Sequence, residues 1–523
     1  PRIMGRKGGD EDRRIHKQLL PERFGGEAQR ELMQLQRAAN LRKQVVSSVT
    51  WIAGVQYAGQ IASWTITILV LRYLDPDDYG LMAKVYVCLG FMMMLNELGM
   101  TAAIVQKKEI EALEVEGVFG LVIISNLLMT GILYAGAPLL AAFFHDGRLV
   151  EIFRIMGIVF LLASAYAVPQ ALMIRKMDFR SKSLIDLAAT IFSSLLILIL
   201  AFYGYGVWSL VAGAISGQAV SAVGYNCAAR SFHRPRLNFR GLKDLLAFGS
   251  YISGSRMLWY VCSNADLFIG GRLLNSRELG IYSIALNLSC IPLDKFTPIL
   301  NQVAFSAYSF IQDEYRKIKD HFLKSVRLVS LVVFPVCWGF IAIAPEVVPL
   351  LGPQWKETVL PIQILSLIMP FRAVGTLFAP VLQGTGNPKV HFLNLAIMNA
   401  VLVPFFIVGI RWGITGLCLS WIFGFSVAFV VMSVRSLKAI GLSAAEFISA
   451  LRPPLAAGGV MLIATFVARH EIWSVPPVIT PFLVVIVGAS AYMLSVFYMN
   501  RGVLSELALL FRKAAIKQPE FLA

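Results

Sequence analysis

Long apolar segments alternate with short polar connections along most of the chain. A bilayer core about 30 Å thick requires roughly 20 apolar residues per helix. Fourteen segments meet this requirement, and the pattern predicts an all-α integral membrane protein with about 14 transmembrane helices. The predicted spans are 47–71, 81–104, 117–139, 150–172, 184–202, 207–229, 247–270, 279–300, 322–344, 360–383, 390–410, 414–435, 453–469 and 481–498.

Composition supports this class and excludes a soluble binding module. Of the 523 residues, 57% are hydrophobic and 15% are charged, whereas about a quarter of the residues in soluble domains are charged. The net charge of +16 is explained by basic connections on one side of the membrane, so no nucleic-acid partner is expected.

Lysine and arginine residues concentrate on the side of the predicted topology that holds both termini. The connections on that side include "RKMDFRSK" from Arg175 and "RSFHRPRLNFRGLK" from Arg230, whereas "YGYG" from Tyr203 on the other side carries no charge. The positive-inside rule therefore predicts that both termini are cytoplasmic.

Two stretches 200 residues apart repeat one another. "LRYLDPDDYG" ends at Gly80 and "GRLLNSRELG" ends at Gly280, and Arg72 corresponds to Arg272. Six predicted spans separate the two stretches, an even number, so the halves of the chain share one orientation. This is a parallel repeat, which predicts two six-helix lobes around a central cavity and two further C-terminal helices. The two arginines are predicted to be interfacial anchors or partners of helix ends, ahead of a gating role.

The repeat also defines the predicted domain organisation. The segments are a cytoplasmic N-terminal tail at 1–44, a first lobe at 45–229, a cytoplasmic linker at 230–246, a second lobe at 247–435, spans 13 and 14 at 453–498, and a cytoplasmic C-terminal tail at 499–523.

Four basic residues fall inside the predicted spans. An ionisable side chain in the bilayer costs several kcal/mol unless it is paired or faces water, so each is a functional candidate. One interpretation pairs the arginines with acidic residues to hold helices together. The other places the surplus positive charge along a cavity that binds an anion, because guanidinium groups bind phosphate in bidentate fashion. The predicted substrate-binding cations are Arg256, Arg372, Lys84 and Lys295.

Polar side chains recur at helical spacing in the first span and in its repeat, the seventh. Gln56, Gln60 and Ser63 form one face, and Tyr260 and Ser263 form the other. Such groups suit the hydroxyls and ring faces of a glycan, but interhelical hydrogen bonds in membranes use the same residue types. We retain both interpretations for this predicted polar lining of the cavity.

Two acidic residues, Asp266 and Asp294, lie within the seventh and eighth spans. Each is a candidate for binding a coupling ion, H⁺ or Na⁺, and each is equally a candidate salt-bridge partner for the arginines. No cofactor beyond such an ion is expected, because the chain carries neither a metal-ligand motif nor a GxxxxGK[ST] phosphate loop.

Several of these motifs resemble a known family. "LRYLDPDDYGLMAKVYV", "NADLFIGGRLLNSRELGIYSIALNL" and "LQGTGNPK" are similar to Wzx-type polysaccharide flippases, especially the exopolysaccharide branch that serves colanic acid and xanthan. That family belongs to the MOP superfamily, which also holds drug and cation antiporters. The resemblance implies a flippase in the bacterial inner membrane that moves an undecaprenyl-pyrophosphate-linked oligosaccharide to the outer leaflet by alternating access.

The resemblance also names candidate partners, a polysaccharide polymerase and export proteins, and leaves an alternative function open. That alternative is an ion-coupled drug or cation antiporter of the same superfamily, which would favour acidic residues in the cavity. A membrane polymerase or ligase is disfavoured, because the short outer connections offer little room for catalytic groups.

Overall fold

The computed structural model describes residues 54, 59–60, 62–96, 104, 111–229, 243–311, 314–471 and 479–499. Within these ranges the side chains of 95–96, 112, 243–256, 294–303, 305–307, 310, 315 and 471 are not described.

Sixteen α-helices, numbered here in chain order, form the described part of the chain. They are α1 (62–73), α2 (Pro76–Asn96), α3 (Ala112–Phe143), α4 (Leu149–Met156), α5 (Ile158–Arg175), α6 (Phe179–Phe202), α7 (Val207–Ala229), α8 (Lys243–Leu273), α9 (Ser276–Phe310), α10 (Tyr315–Leu351), α11 (Val359–Thr376), α12 (Phe378–Gly384), α13 (Pro388–Gly409), α14 (Gly413–Ala439), α15 (Ala444–Glu471) and α16 (Thr480–Met499). Short 3₁₀ turns connect α10 to α11 and α13 to α14.

The predicted all-α membrane class is confirmed. In the described ranges, nine helical segments are long and apolar enough to cross a membrane. One of them, Pro388–Ala439, contains two of the predicted spans. The count of fourteen spans stays a prediction.

The repeated stretches form two corners of the same geometry. Helix α1 ends at residue 73 and α2 begins at Pro76, while α8 ends at Leu273 and α9 begins at Ser276. Each corner is closed by its own acidic side chain, because the backbone N–H groups of Asp75 and Asn275 donate to the carboxylates of Asp78 and Glu278. A cap of this kind satisfies backbone donors that the start of a helix leaves unpaired.

The two corners meet at the same end of the molecule, called the corner end below. Helices α2 and α9 cross there at Gly80 and Gly280. A Cβ added at Gly80 would overlap the carbonyl oxygen of Ser276, and a Cβ added at Gly280 would overlap the carbonyl oxygen of Pro76. The contact is therefore reciprocal and requires glycine on both sides, which explains why each repeated stretch ends in this residue.

Each lobe has its own apolar core. The first is built around Phe144, Phe153 and Phe160, and the second contains Trp355 and Trp421, all fully buried.

Helices α15 and α16 pack against α10 of the second lobe. The hydroxyl of Tyr492 on α16 donates to the carbonyl of Leu331 at 2.9 Å, and Arg469 of α15 lies 3.1 Å from Glu346 of α10. The C-terminal pair is thus an addition to one lobe, as expected for helices outside the repeat.

We expect Gly80→Ala and Gly280→Ala each to destabilise the protein by roughly 1–3 kcal/mol, because the added methyl group meets rigid backbone. The measurement is thermal unfolding of the purified protein in detergent. Gly136→Ala in α3 is the matched control, since a Cβ there would meet no atom of the described residues within 4 Å. Equal unfolding temperatures for all three variants would show that the crossing relaxes without cost.

Candidate functional site

The two corner arginines reach across to the opposite lobe in the same way. Nε of Arg72 donates to the carbonyl of Leu350 at 3.0 Å, near the end of α10. Nη1 of Arg272 donates to the carbonyl of Phe143 at 3.0 Å, at the end of α3, and its guanidinium carbon lies 4.4 Å from the centre of the Phe143 ring. Both arginines are therefore helix-end partners, and both connect the lobes. Cations at helix C-termini are favourable, because the last carbonyls carry partial negative charge.

Uncharged donors of the second lobe also bind the corner of the first lobe, on the side where Arg72 lies. Nε1 of the buried Trp355 donates to the carbonyl of Leu71 at 2.7 Å. The side-chain amide of Gln354 donates to the same carbonyl at 3.0 Å. The connection between α10 and α11 in the second lobe thus holds the corner of the first lobe by hydrogen bonds to its backbone.

Charged residues join the two lobes on the other side of the corner end, where Arg272 lies. Lys84 of α2 is almost fully buried at 2% exposure, and its Nζ donates to Oγ of Ser276 at 2.9 Å. That hydroxyl in turn donates to Oδ2 of Asp146 at 3.0 Å. Lys84 was predicted to line the substrate cavity, but the structure places it at the lobe junction of the corner end, bound across the two lobes.

Asp146 is also held by Arg148, at 2.8 Å from Nη2 to Oδ2, and Arg148 pairs with Asp77 on the first corner. Burial alone would raise the pKa of the Asp146 carboxyl, but hydrogen bonds from Arg148 and Ser276 outweigh this and the pKa is lowered. The carboxylate is therefore charged at neutral pH, and it supplies the counter-charge for the buried lysine.

The second lobe contains a compact polar cluster about two helical turns from the corner. Asp266 of α8 is completely buried, and its Oδ2 accepts from the hydroxyl of Tyr282 at 2.5 Å and from Nε1 of Trp421 at 3.0 Å. The guanidinium carbon of Arg372 lies 4.1 Å from the centre of the Trp421 ring, on the face of the same indole. Trp421 thus connects the carboxylate to the guanidinium, and among the described side chains no direct ion pair joins Asp266 to Arg372.

The other described contacts of Arg372 are weak. Nη1 lies 3.6 Å from the sulfur of Met369 and 3.7 Å from that of Cys290. Sulfur is a poor acceptor, and stacking leaves the edge of a guanidinium available for hydrogen bonds. Arg372 is half-buried, so a strong acceptor such as a phosphate oxygen would find donors there.

The predicted polar lining is only partly described. Gln60 and Ser63 are half-buried near the start of the first lobe, and Ser263 is half-buried on α8. The hydroxyl of Tyr260 donates to the carbonyl of Val87 on α2 at 2.9 Å. Tyr260 is therefore an interhelical hydrogen-bond donor that crosses between the lobes, which was one of the two interpretations kept for these residues.

Four predicted site residues lie outside the described side chains. Arg256 falls within α8, and Asp294 and Lys295 fall within α9, but only their backbone is described. Gln56 lies outside the described residues altogether. Their roles stay predictions.

A polar network in the first lobe was missed by the sequence analysis. The carboxylate of Asp186 on α6 accepts from Tyr225 at 2.6 Å and lies 2.6 Å from Nζ of Lys182. Gln170 donates to the hydroxyl of Tyr225 at 3.2 Å, and the ring of Tyr166 stacks on that of Tyr225. Asp186 falls inside the fifth predicted span, so the rule that singled out Asp266 could also have found it.

An apolar cavity of about 290 Å³ lies between α10, α15 and α16. Its walls include Phe340, Met461 and Val485. It is separate from the polar cluster around Asp266, and its lining suits hydrocarbon.

Comparison with solved structures gives the fold to which the chain is similar. The chain superimposes on a structure titled "Lipid II flippase MurJ, inward closed conformation" with a TM-score of 0.70 and 12% identity, covering 87% of this chain and 99% of that one. A structure titled as the inward-facing conformation of a multidrug resistance MATE family transporter of the MOP superfamily gives a TM-score of 0.59 and 14% identity, covering 72% and 94%. At these identities the likeness establishes the fold alone, which the chain shares with both of these structures.

Comparison of the sequence gives the family. The family described as "Polysaccharide biosynthesis protein" matches residues 69–360, more than half of the chain. The chain therefore belongs to this family of polysaccharide biosynthesis proteins, which confirms the resemblance noted above. It is also 23% identical over 375 residues to the lipopolysaccharide biosynthesis protein WzxC of Escherichia coli (strain K12), an alignment that covers 71% of this chain and 76% of that protein.

We expect Tyr282→Phe to destabilise the protein by about 1–3 kcal/mol, because it removes a donor from a buried carboxylate. Adding Asp266→Asn should recover part of this loss, since an amide tolerates a missing donor better than a charge does. Thermal unfolding of the wild type, both single variants and the double variant measures the coupling. Tyr134→Phe, at a tyrosine that is 55% exposed, is the control, and an equally small effect at Tyr282 would contradict the assigned role.

Proposed function

We propose that this protein is a flippase for a lipid-linked oligosaccharide, in which a polyprenyl pyrophosphate carries the glycan across the membrane for polysaccharide synthesis. The family supports the pathway class, and the fold supports a transporter with two lobes. The observation that carries the substrate class is the state of Arg372, a cation inside the second lobe whose guanidinium stacks on Trp421 and is not neutralised by direct contact with Asp266.

The depth of Arg372 suits a head-group site. It lies 13 residues after the first residue of α11, which is about 20 Å along a helix at 1.5 Å per residue and therefore inside a core about 30 Å thick, about 5 Å beyond its middle. A diphosphate passing between leaflets must cross this level. A guanidinium in a low-dielectric cleft would attract it over a long range and bind two of its oxygens. Arg256, a predicted site residue on α8, is proposed to contribute a second cation, and Lys295 stays a candidate for a third.

Alternating access of the two lobes gives the transport step. The positive-inside rule predicts that the corner end faces outward, and with this orientation the contact between the corners would close the outer side. The cationic site would then receive the head group from the cytoplasmic side and release it after the corners part.

The hydrocarbon part of the substrate would remain in an apolar environment. The cavity between α10, α15 and α16 could hold part of a polyprenyl chain, since its lining offers almost only hydrocarbon contacts. We therefore assign the two C-terminal helices, which lie outside the repeat, a role toward the lipid, while the two lobes handle the polar head group.

The antiporter alternative is less well supported. Asp266 is the acidic residue best placed to bind a coupling ion, but its carboxylate already accepts hydrogen bonds from Tyr282, Trp421 and the backbone N–H of Leu267. A cation-binding role would require these donors to turn away. We propose instead that Asp266 orients Trp421 beneath Arg372. Asp294 stays a candidate for coupling to H⁺ or Na⁺.

The cellular setting follows from the same proposal. The protein is a multi-pass membrane protein, and we place it in the bacterial inner membrane with both termini in the cytoplasm. A polysaccharide polymerase and export proteins would act next, because they consume the repeat units that a flippase delivers.

Deleting the gene in its native bacterium tests the function. We expect loss of the secreted polysaccharide, with completed lipid-linked repeat units accumulating on the cytoplasmic leaflet, as measured by mass spectrometry after labelling of the outer face. Normal polymer together with new sensitivity to cationic drugs would favour the antiporter instead.

We expect Arg372→Ala to weaken binding of a polyprenyl pyrophosphate oligosaccharide by at least about tenfold, the equivalent of one charge-assisted hydrogen bond. Arg372→Lys should recover part of the affinity, because it keeps the charge but loses the planar stack on Trp421. The measurement is binding to the purified protein in nanodiscs. Arg411→Ala is the control, since Arg411 lies exposed in the turn between α13 and α14. Equal affinities for all variants would remove Arg372 from the site.

A further inference from the structure

Reciprocal contacts at the corner end follow the internal repeat. Arg72 leaves the end of α1 in the first lobe and binds the end of α10 in the second, while Arg272 leaves the corresponding end of α8 and binds the end of α3 in the first. Leu350 and Phe143, the acceptors, each lie within the last two residues of their helix. The same kind of contact therefore occurs twice at the lobe boundary: each lobe donates one arginine to a helix end of the other lobe.

These contacts are additions to the packing of the corners. The Gly80 and Gly280 crossing already brings the two backbones together. Arginine at a helix C-terminus adds a directional hydrogen bond and a favourable interaction with the helix dipole. Because both carbonyl acceptors belong to the opposite lobe, neither contact can persist when the lobes separate at this end.

Two further contacts make the two sides chemically different. The side with Arg72 is supported by neutral donors from Gln354 and Trp355. The side with Arg272 is supported by the charged chain from Lys84 through Ser276 to Asp146. Separation of the lobes would remove the second-lobe hydroxyl that bridges Lys84 and Asp146, which both lie in the first lobe.

We propose that Arg72 and Arg272 form a latch that holds the corner end closed by capping the third long helix of the opposite lobe, and that Lys84 with Ser276 locks the Arg272 side. The pair is termed the corner latch. Each arginine stabilises the closed state relative to the open one, and neither takes part in binding the substrate. The assignment of the corner end to the outer side rests on the proposed topology, but the latch itself is defined by the contacts.

The experiment measures opening directly, without substrate. Ser283 lies one helical turn after Gly280, on the same face of α9, and is 5% exposed. A Ser283→Cys reporter in a Cys227→Ser background is treated with a membrane-impermeant maleimide on purified protein in nanodiscs. Cys227 is the exposed native cysteine of the described part, and the same background without the reporter gives the blank rate.

We expect Arg72→Ala and Arg272→Ala each to speed labelling of the reporter roughly two- to fivefold, the range for a cation at a helix C-terminus. The double variant should show about the product of the two effects, because both contacts break in the same opening. Lys84→Gln should also speed labelling, and adding Ser276→Ala should speed it further, because Ser276 makes a second hydrogen bond between the lobes, to Asp146. Arg411→Ala is the matched control and should label at the parental rate.

A second reporter separates opening from unfolding. Ser330 on α10 is fully buried, and its hydroxyl has no hydrogen-bond partner among the residues that the structure describes, so Ser330→Cys is a mild change at a site remote from the latch. Opening at the corners should leave this cysteine unreactive, whereas a misfolded variant would label at both positions. In variants that keep Ser330→Cys protected, unchanged labelling at Ser283→Cys would overturn the latch.

The outcome is independent of the transported molecule. Faster labelling in the arginine variants combined with normal polysaccharide in the deletion strain would keep the latch and reject the flippase. Loss of polysaccharide in the deletion strain combined with parental labelling in all latch variants would keep the flippase and reject the latch.

Discussion

The close crossing of α2 and α9 at Gly80 and Gly280 is the contact on which the other lobe-to-lobe interactions depend. Backbone carbonyls approach the opposite helix so closely that no side chain fits between them. This proximity brings the corner arginines within reach of helix ends in the other lobe, and it brings Ser276 within reach of Lys84. A larger residue at either glycine would move every one of these partners apart together.

The internal repeat gives both lobes the same arrangement of helices, but the polar residues inside the two lobes differ. Aligning Gly206 with Gly413 places Gln218 on Phe425 and Tyr225 on Met432. Gln218 and Tyr225 belong to the polar contacts of the first lobe, whereas Phe425 lies in the apolar core of the second. The fold therefore does not require the first-lobe network. The Arg372 and Trp421 pair of the second lobe is likewise a property of that lobe.

The features that the sequence could predict are those determined locally. The corners were recognisable because their caps and glycines lie within ten residues, and the all-α membrane class follows from apolar length alone. The partners of single polar residues were not predictable, because Lys84 meets Ser276 across 192 positions and Asp266 meets Trp421 across 155. The hydropathy pattern counts Trp421 as one more apolar residue. The sequence therefore gave no indication that its indole N–H donates to a buried carboxylate. Asp186 also lies inside a predicted span, so the rule that selects ionisable residues in the membrane could have identified it, but it was missed.

Separation of the two lobes changes the hydrogen-bond partner of the buried Lys84. A lysine in the membrane is tolerated when it is paired or hydrated, and Lys84 is satisfied in the closed form by a hydroxyl from the other lobe that is itself bound to Asp146. When the lobes part, that hydroxyl leaves with the second lobe, whereas Asp146 stays with Lys84 in the first. The ammonium and the carboxylate then each lose a hydrogen-bond partner, which water or a direct ion pair between them must replace. Opening at the corner end therefore exchanges a shared hydroxyl for water or for a direct Lys84–Asp146 pair.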